Sequence, residues 1–160
     1  MAQKILIFKI FFLLFLLSNN VLNSKTITGK PKIIDGDTVH INKYKIRLHG
    51  IDAPERNQKC IFNKKKWLCG NQATNELKKL INNEIIKCVT SDIDIYKRYV
   101  AICFVNETNL NQIMVKNGWA LAYRYYSTDY IKEERYAREN NLGIWRGEFE
   151  KPYIFRKKNK

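Results

Sequence analysis

The sequence predicts an α+β fold: a small β-barrel of about five short strands with three α-helices packed outside it. Three observations lead there. Residues 32–50 alternate apolar and polar side chains, with one polar interruption at "NKYK", and that alternation is the period of half-buried strands. Three later stretches carry apolar residues at helical spacing. With residues 1–24 set aside, 136 residues remain, which suits one domain with a real hydrophobic core.

Residues 1–24 read as a secretory signal peptide. The unbroken apolar run Ile10–Leu17 is too short to span a bilayer, and basic and polar residues flank it. No clean Ala-x-Ala site follows, so Ser18 and Ser24 are both candidates to precede the cut, with an uncleaved membrane anchor as the alternative. A secreted or periplasmic protein is the expectation, with the domain spanning 25–150 and a basic tail at 151–160.

Along the domain, "KIIDGDTVHI" and "IRLHGI" give two or three strands with tight connections. Residues 56–70 have no period and read as a loop. "NQATNELKKLIN" is a helix capped by Asn71, with Ala73, Leu77, Leu80 and Ile81 on one face. "EIIKCVT" and "RYVAICFV" form a hairpin. "TNLNQIMVKNG" is a second helix stopped by Gly118, and "WALAYRYY" a short strand or an extended connection. "TDYIKEERYARENNLG" is a third helix closed by Gly143. The end is an aromatic segment with a basic tip, for which disorder is one expectation.

Four cysteines follow the leader. Folding the hairpin about its midpoint places Cys88 opposite Cys103, close enough for a bridge, and leaves Cys60 to pair with Cys69 across a short loop. Four reduced thiols are the alternative for a chain kept in the cytosol. A zinc site would want tighter spacing or nearby histidines.

Removing residues 1–24 takes away two lysines and no acids, leaving 27 Lys and Arg against 15 Asp and Glu, or +12. Such a charge favours a polyanionic partner, either nucleic acid or an anionic membrane surface. The second is disfavoured because the helices at 71–82 and 129–140 lack a large apolar face opposite a basic one.

In this basic chain, "DGDTVHINKYKIRLHGIDAPE" at 35–55 gathers acids. Asp35 and Asp37 are two apart on one side of a strand. Two carboxylates so placed repel unless a cation lies between them or one keeps its proton. The "NKYK" turn folds Arg47 back beside Asp37, Gly50 permits a bend, and Asp52 and Glu55 follow. Pro54 holds Ala53 extended and so fixes where its carbonyl points. The product is an oxygen-rich pocket flanked by Arg47, suited to Ca²⁺ or Mg²⁺ rather than zinc. The plainer reading is a common "DGD" turn and a "DAPE" strand end.

"DGDT" at 35–38, "RLHGIDAPE" at 47–55, "DIYKRYVA" at 94–101, "VKNGWALAYRYY" at 115–126 and "NLGIW" at 141–145 together resemble the thermonuclease (staphylococcal nuclease-like) family, in the family's order. The resemblance implies a five-stranded OB-fold barrel with three helices that cuts DNA and RNA with Ca²⁺ and leaves 3′-phosphate ends. It implies that Asp37, Asp52 and the Ala53 carbonyl hold the ion, with Asp35 behind them. Glu55 would be the general base or position the water, and Arg47 and Arg98 would bind the scissile phosphate. Tyr96, Tyr123 and Tyr125 would contact bases or a terminal phosphate, or else pack the barrel's edge. The four cysteines resemble an exported, disulfide-containing subset.

A non-catalytic OB-fold module that binds nucleic acid is the rival function. DNA and RNA are the expected partners, with no stable protein partner and a monomeric state.

Overall fold

The structure is a computed structural model that describes residues 25–159; the expected signal peptide lies outside the described residues. Strands β1 (Thr26–Gly29), β2 (Lys32–Ile33), β3 (Thr38–Ile41), β4 (Tyr44–Leu48) and β5 (Ile51–Asp52) come first. A small hairpin, β6 (Cys60–Phe62) and β7 (Lys65–Trp67), precedes helix α1 (Cys69–Ile81). Next come β8 (Ile86–Ile93), β9 (Tyr99–Val105), β10 (Thr108–Asn109), α2 (Leu110–Lys116), β11 (Leu121–Ala122) and α3 (Ile131–Glu139). A 3-10 turn (Gly143–Arg146) and α4 (Pro152–Lys158) end the described chain.

The main sheet runs β1-β8-β9-β4-β3-β2, with β10 beside β9. Of its five strands of four residues or more, β3, β4, β8 and β9 lie where strands were expected, while β1 lies ahead of the first expected strand. The strand expected at "WALAYRYY" shortens to β11, which pairs with β5 outside the main sheet, and β2 and β10 are two-residue strands. All neighbours are antiparallel except β4 and β9, which run parallel. The sheet curls into a half-barrel of the OB type. Gly29 makes the curl possible at the β1 edge, because a Cβ there would stand 2.6 Å from Ile41 of β3.

The alternation read from the sequence places the core. Val39, Ile41, Ile46 and Leu48 point inward from β3 and β4 and are fully buried. Leu77 and Ile81 of α1 and Leu110 and Met114 of α2 cover them from outside the sheet. Each such side chain contributes roughly 1.5–3 kcal/mol by leaving water. Asn111 is a buried polar staple within this apolar layer. Its Nδ2 donates to the His49 and Ala101 carbonyls at 2.9 and 3.1 Å, and its Oδ1 accepts from the Cys103 N–H at 3.0 Å. It ties α2 to the chain just past β4 and to the middle of β9, and both ends of its amide are paired.

Both expected disulfides are present, Cys60–Cys69 and Cys88–Cys103. Cys88 and Cys103 are direct partners in the β8–β9 register, so the hairpin reasoning holds. Several elements differ from expectation. Residues 56–70 contain the β6–β7 hairpin: Asn63 and Lys64 both take positive φ, which suits a two-residue hairpin turn, and Ile61 pairs with Glu148. Helix α1 starts at Cys69, two residues before the expected cap, and Asn71 lies inside its first turn. The disulfide at Cys69 anchors that start in place of a capping side chain. Helix α3 ends at Glu139 with Asn140 as its C-cap, and Gly143 opens the 3-10 turn. The basic tip forms a fourth helix, with Pro152 at its first position, where the missing N–H costs nothing.

Candidate active site

The β3–β4 turn is two residues long, with Asn42 at φ 51°, and it sets Thr38 opposite Arg47. Arg47 therefore lands one residue from Asp37, as the spacing predicted. Ahead of β3, the Asp35 carboxylate accepts the Asp37 N–H at 2.9 Å, closing the "DGD" turn. Gly36 is required there, because a Cβ would sit 2.7 Å from the Ala53 Cβ. After β4, Gly50 takes φ 70° and turns the chain into β5, which delivers Asp52 beside Asp37. The loop after it carries Ala53 and Glu55.

Arg47 is the centre of this cluster. Its Nη1 pairs with the Asp37 carboxylate, and Nη2 reaches the Ile51 carbonyl at 3.0 Å and Asp52 Oδ1 at 3.4 Å. Nε is outside the hydrogen bonds among the described residues, so one donor of the fork is available to a ligand. Asp37 is buried, and its Oδ2 accepts the Ala53 N–H at 2.7 Å. Burial alone would raise its carboxyl, but the Arg47 charge and the Ala53 N–H hold it below the usual carboxylate range. Asp35 goes the other way: burial first, then the Asp37 charge, push it up to about 7. Asp52 is also raised, by burial and then by Asp37, against the pull of two arginines.

The second arginine on Asp52 is Arg156, from α4. Its Nη2 lies 2.7 Å from Asp52 Oδ1 and its Nη1 3.0 Å from Glu55 Oε1. The Tyr153 N–H donates to the other Asp52 oxygen at 3.1 Å. Gln58, fully buried, connects the same pieces: its Oε1 accepts the Glu55 N–H at 3.2 Å and its Nε2 donates to the Glu150 carbonyl at 2.6 Å. None of these three residues entered the sequence reading. Pro152 ahead of "YIFRKK" was a helix-start signal, but nothing local said where that helix would dock.

The remaining candidates lie apart from the acids. Asp94 organises the β8–β9 turn, accepting the Tyr96 and Arg98 N–H groups at 2.9 Å each. Arg98 Nε donates to Asp94 at 2.7 Å, and its guanidinium stacks over the Tyr96 ring. The β4–β9 register sets Arg47 against Val100. Arg98 is thus about 7 Å along the strand from Arg47 and one strand over, about 5 Å. Its described contacts go to the turn, not to the carboxylates. Tyr123 stands at the site's edge, its N–H on the Gly50 carbonyl at 2.8 Å and its hydroxyl pushed up by burial and then by the Asp52 charge. Tyr125 is 82% exposed, and Tyr126, absent from the expectation, packs edge-on against both.

The donor set fits a hard cation: two buried carboxylates, Asp37 and Asp52, and the Ala53 carbonyl, which accepts no hydrogen bond among the described residues. A guanidinium already sits against Asp52 and Glu55, so this oxygen cluster does hold positive charge. Among the described residues no three His, Cys, Asp or Glu side chains are disposed as a ready metal cage.

Residues 45–147 match the family described as "Staphylococcal nuclease homologue". The chain belongs to that family. Among its relatives, a micrococcal nuclease of Shigella flexneri is 31% identical over 131 residues, covering 71% of this chain and 70% of that one. An uncharacterized endonuclease of Haemophilus influenzae is 33% identical over 121 residues, covering 71% and 63%. A probable staphylococcal-like nuclease of rice, CAN3, is 35% identical over 124 residues, which is 76% of this chain but 30% of that protein. This chain thus spans about a third of the rice relatives' length. The matched span holds Arg47, Asp52, Ala53, Glu55, Arg98 and the tyrosines; Asp35 and Asp37 lie just before it, and α4 just after.

Proposed function

We propose that the protein is a secreted, Ca²⁺-dependent nuclease. It hydrolyses phosphodiester bonds of DNA and RNA with low sequence specificity, leaves 3′-phosphate ends and acts as a monomer. The observation that carries this reading is the gathering of Asp37, Arg47, Asp52 and Glu55 into one cluster within a nuclease-family fold. Asp37, Asp52 and the Ala53 carbonyl would hold the ion, with Asp35 fixing Asp37 through its N–H. The bound ion would polarise the phosphate and offset the charge it gains during attack.

The chain's own groups do the rest. Arg47 is held rigidly by Asp37 and Ile51, so its free Nε–H meets a phosphate oxygen without reorganising. Glu55 orients a water and takes its proton. Arg98 meets the phosphate from the neighbouring strand once its guanidinium turns from Asp94. Lys32, His40 and Lys45 are direct partners across β2, β3 and β4. They lie on the same outward face as Arg47, two residues further along, and would carry the polyanion's backbone away from the site. Tyr123, Tyr125 and Tyr126 offer rings to unstacked bases, and Tyr96 does the same beside Arg98.

The test is incubation of the oxidised protein with denatured DNA and with RNA, in Ca²⁺ or in EDTA. Calcium-dependent cleavage with 3′-phosphate ends is expected. Tight binding without cleavage in Ca²⁺, Mg²⁺ or Mn²⁺ would replace this reading with the binding module.

A further inference from the structure

Helix α4 is fastened to the carboxylate cluster by polar contacts, with Tyr153, Ile154 and Phe155 only partly buried. Of its seven residues only Pro152 is buried. The Arg156 side chain meets one Asp52 oxygen and one Glu55 oxygen, and the backbone N–H of Tyr153, in the helix's first turn, meets the second Asp52 oxygen. The segment leading in is tied to the same loop through Gln58 and the Glu150 carbonyl. A helix this short does not persist in water without tertiary support. Docking on Asp52 and Glu55 therefore contributes to the support that keeps it folded.

We infer that Arg156 is an intramolecular counter-cation that a divalent ion must displace, so that α4 and the metal compete for Asp52. The inference rests on the reading of Asp37 and Asp52 as metal ligands. Asp52, 1% exposed, already accepts from Arg156, from the Tyr153 N–H and, at 3.4 Å, from Arg47. A divalent ion seated on it in this buried site would be repelled by the Arg156 guanidinium on the same oxygen. Arg156, at 31% exposure, is the member of this set that can swing to solvent. The same departure releases Glu55 to act on water. Apparent metal affinity is then the intrinsic affinity multiplied by the fraction of molecules with α4 undocked. The C-terminal helix sets the metal concentration at which the site becomes competent.

The test titrates Ca²⁺, with Tb³⁺ luminescence as a second probe, into the oxidised full chain without nucleic acid. It compares wild type with Arg156→Ala, Arg156→Gln and Lys157→Ala. The last removes the same charge from the same helix at an exposed position, and so measures the effect of net charge alone. Both Arg156 variants are expected to bind at least about tenfold more tightly than wild type, and Lys157→Ala less than about twofold. In wild type, amide hydrogen exchange at Tyr153 should be slow in EDTA and fast in saturating Ca²⁺, a readout that needs no variant. Equal affinities for wild type and the Arg156 variants, or an unchanged Tyr153 amide, overturn the competition while leaving the metal site in place. No binding by any form at millimolar Ca²⁺ overturns both it and the metal reading.

Discussion

Asp37 and Asp52 are the same residue type, both buried and side by side, yet their protonation is driven in opposite directions. Asp37 is held below the usual range and Asp52 above it. Burial penalises both. The difference lies in where the compensating charge comes from. Asp37 has Arg47 in direct contact, locked on the adjacent strand. Asp52 shares Arg47 only at 3.4 Å and takes its main partner, Arg156, from a helix at the far end of the chain. One half of the site is neutralised by the sheet and is permanent; the other is neutralised by an element that can leave.

The strongest way to break this contrast is Arg47→Ala. It strands Asp37 as a buried, unpaired charge, and stability should fall by about 3–5 kcal/mol in denaturant melts. Turnover on denatured DNA should fall at least about 10²-fold. A stability loss under about 1 kcal/mol would mean that the Ala53 N–H and the Thr38 hydroxyl, which donates to Asp37 Oδ1 at 3.1 Å, suffice for Asp37. Glu55→Gln tests the other half. It keeps the shape, so the melting midpoint should hardly move while turnover drops about 10²–10⁴-fold; near-full activity would remove Glu55 from the chemistry.

Gln58→Ala sharpens the comparison by loosening the loop and the tail together. It leaves the Glu55 N–H and the Glu150 carbonyl without their partner, at a cost of about 1–3 kcal/mol, measurable by chemical denaturation. Asp35 supplies the pH test. Its carboxyl rises from an ordinary 3.8 to about 7 in the folded protein, so the folded state holds the proton more tightly. Its stabilising contribution is complete below about pH 4 and is lost as the pH climbs to about 7. In EDTA, wild type should therefore lose stability relative to Asp35→Asn across that window; parallel curves would contradict the shift. The smallest effect is expected on the basic row. Replacing Lys32 and Lys45 with Gln should reduce the salt slope of DNA binding by about one per cation, leaving the ratio of DNA to RNA affinity unchanged.

The legible half of the site is the strand half. Arg47 was placed correctly beside Asp37, because a two-residue turn and a period of two leave one register that buries Val39 and Ile46 together. Asp35 and Asp37, expected on a strand, instead form the bend ahead of β3. The β8–β9 pairing and its disulfide were legible for the same reason. The helix boundaries were less so. Cys69 starts α1 through a covalent bond to a hairpin that had no periodic signature, three residues per strand being too few to show alternation. Arg98 and Tyr96 were named from the sequence, and the structure places both on the β8–β9 turn apart from the acids; Asp94's hold on that turn is a geometric fact with no local pattern behind it.

The amino-acid sequence by itself determined the curled sheet, the two disulfides, the family and the first carboxylate–arginine pair. All of these depend on alternation, short turns or an ordered set of motifs. Only the tertiary structure decided that α4 docks on the acids, that Gln58 joins the Glu55 loop to the tail, and that Asp37 and Asp52 titrate apart. Those outcomes depend on burial and on contacts between residues about a hundred positions apart. Such contacts leave no period in the chain, because which charges meet in low dielectric is settled only once the core has closed around them.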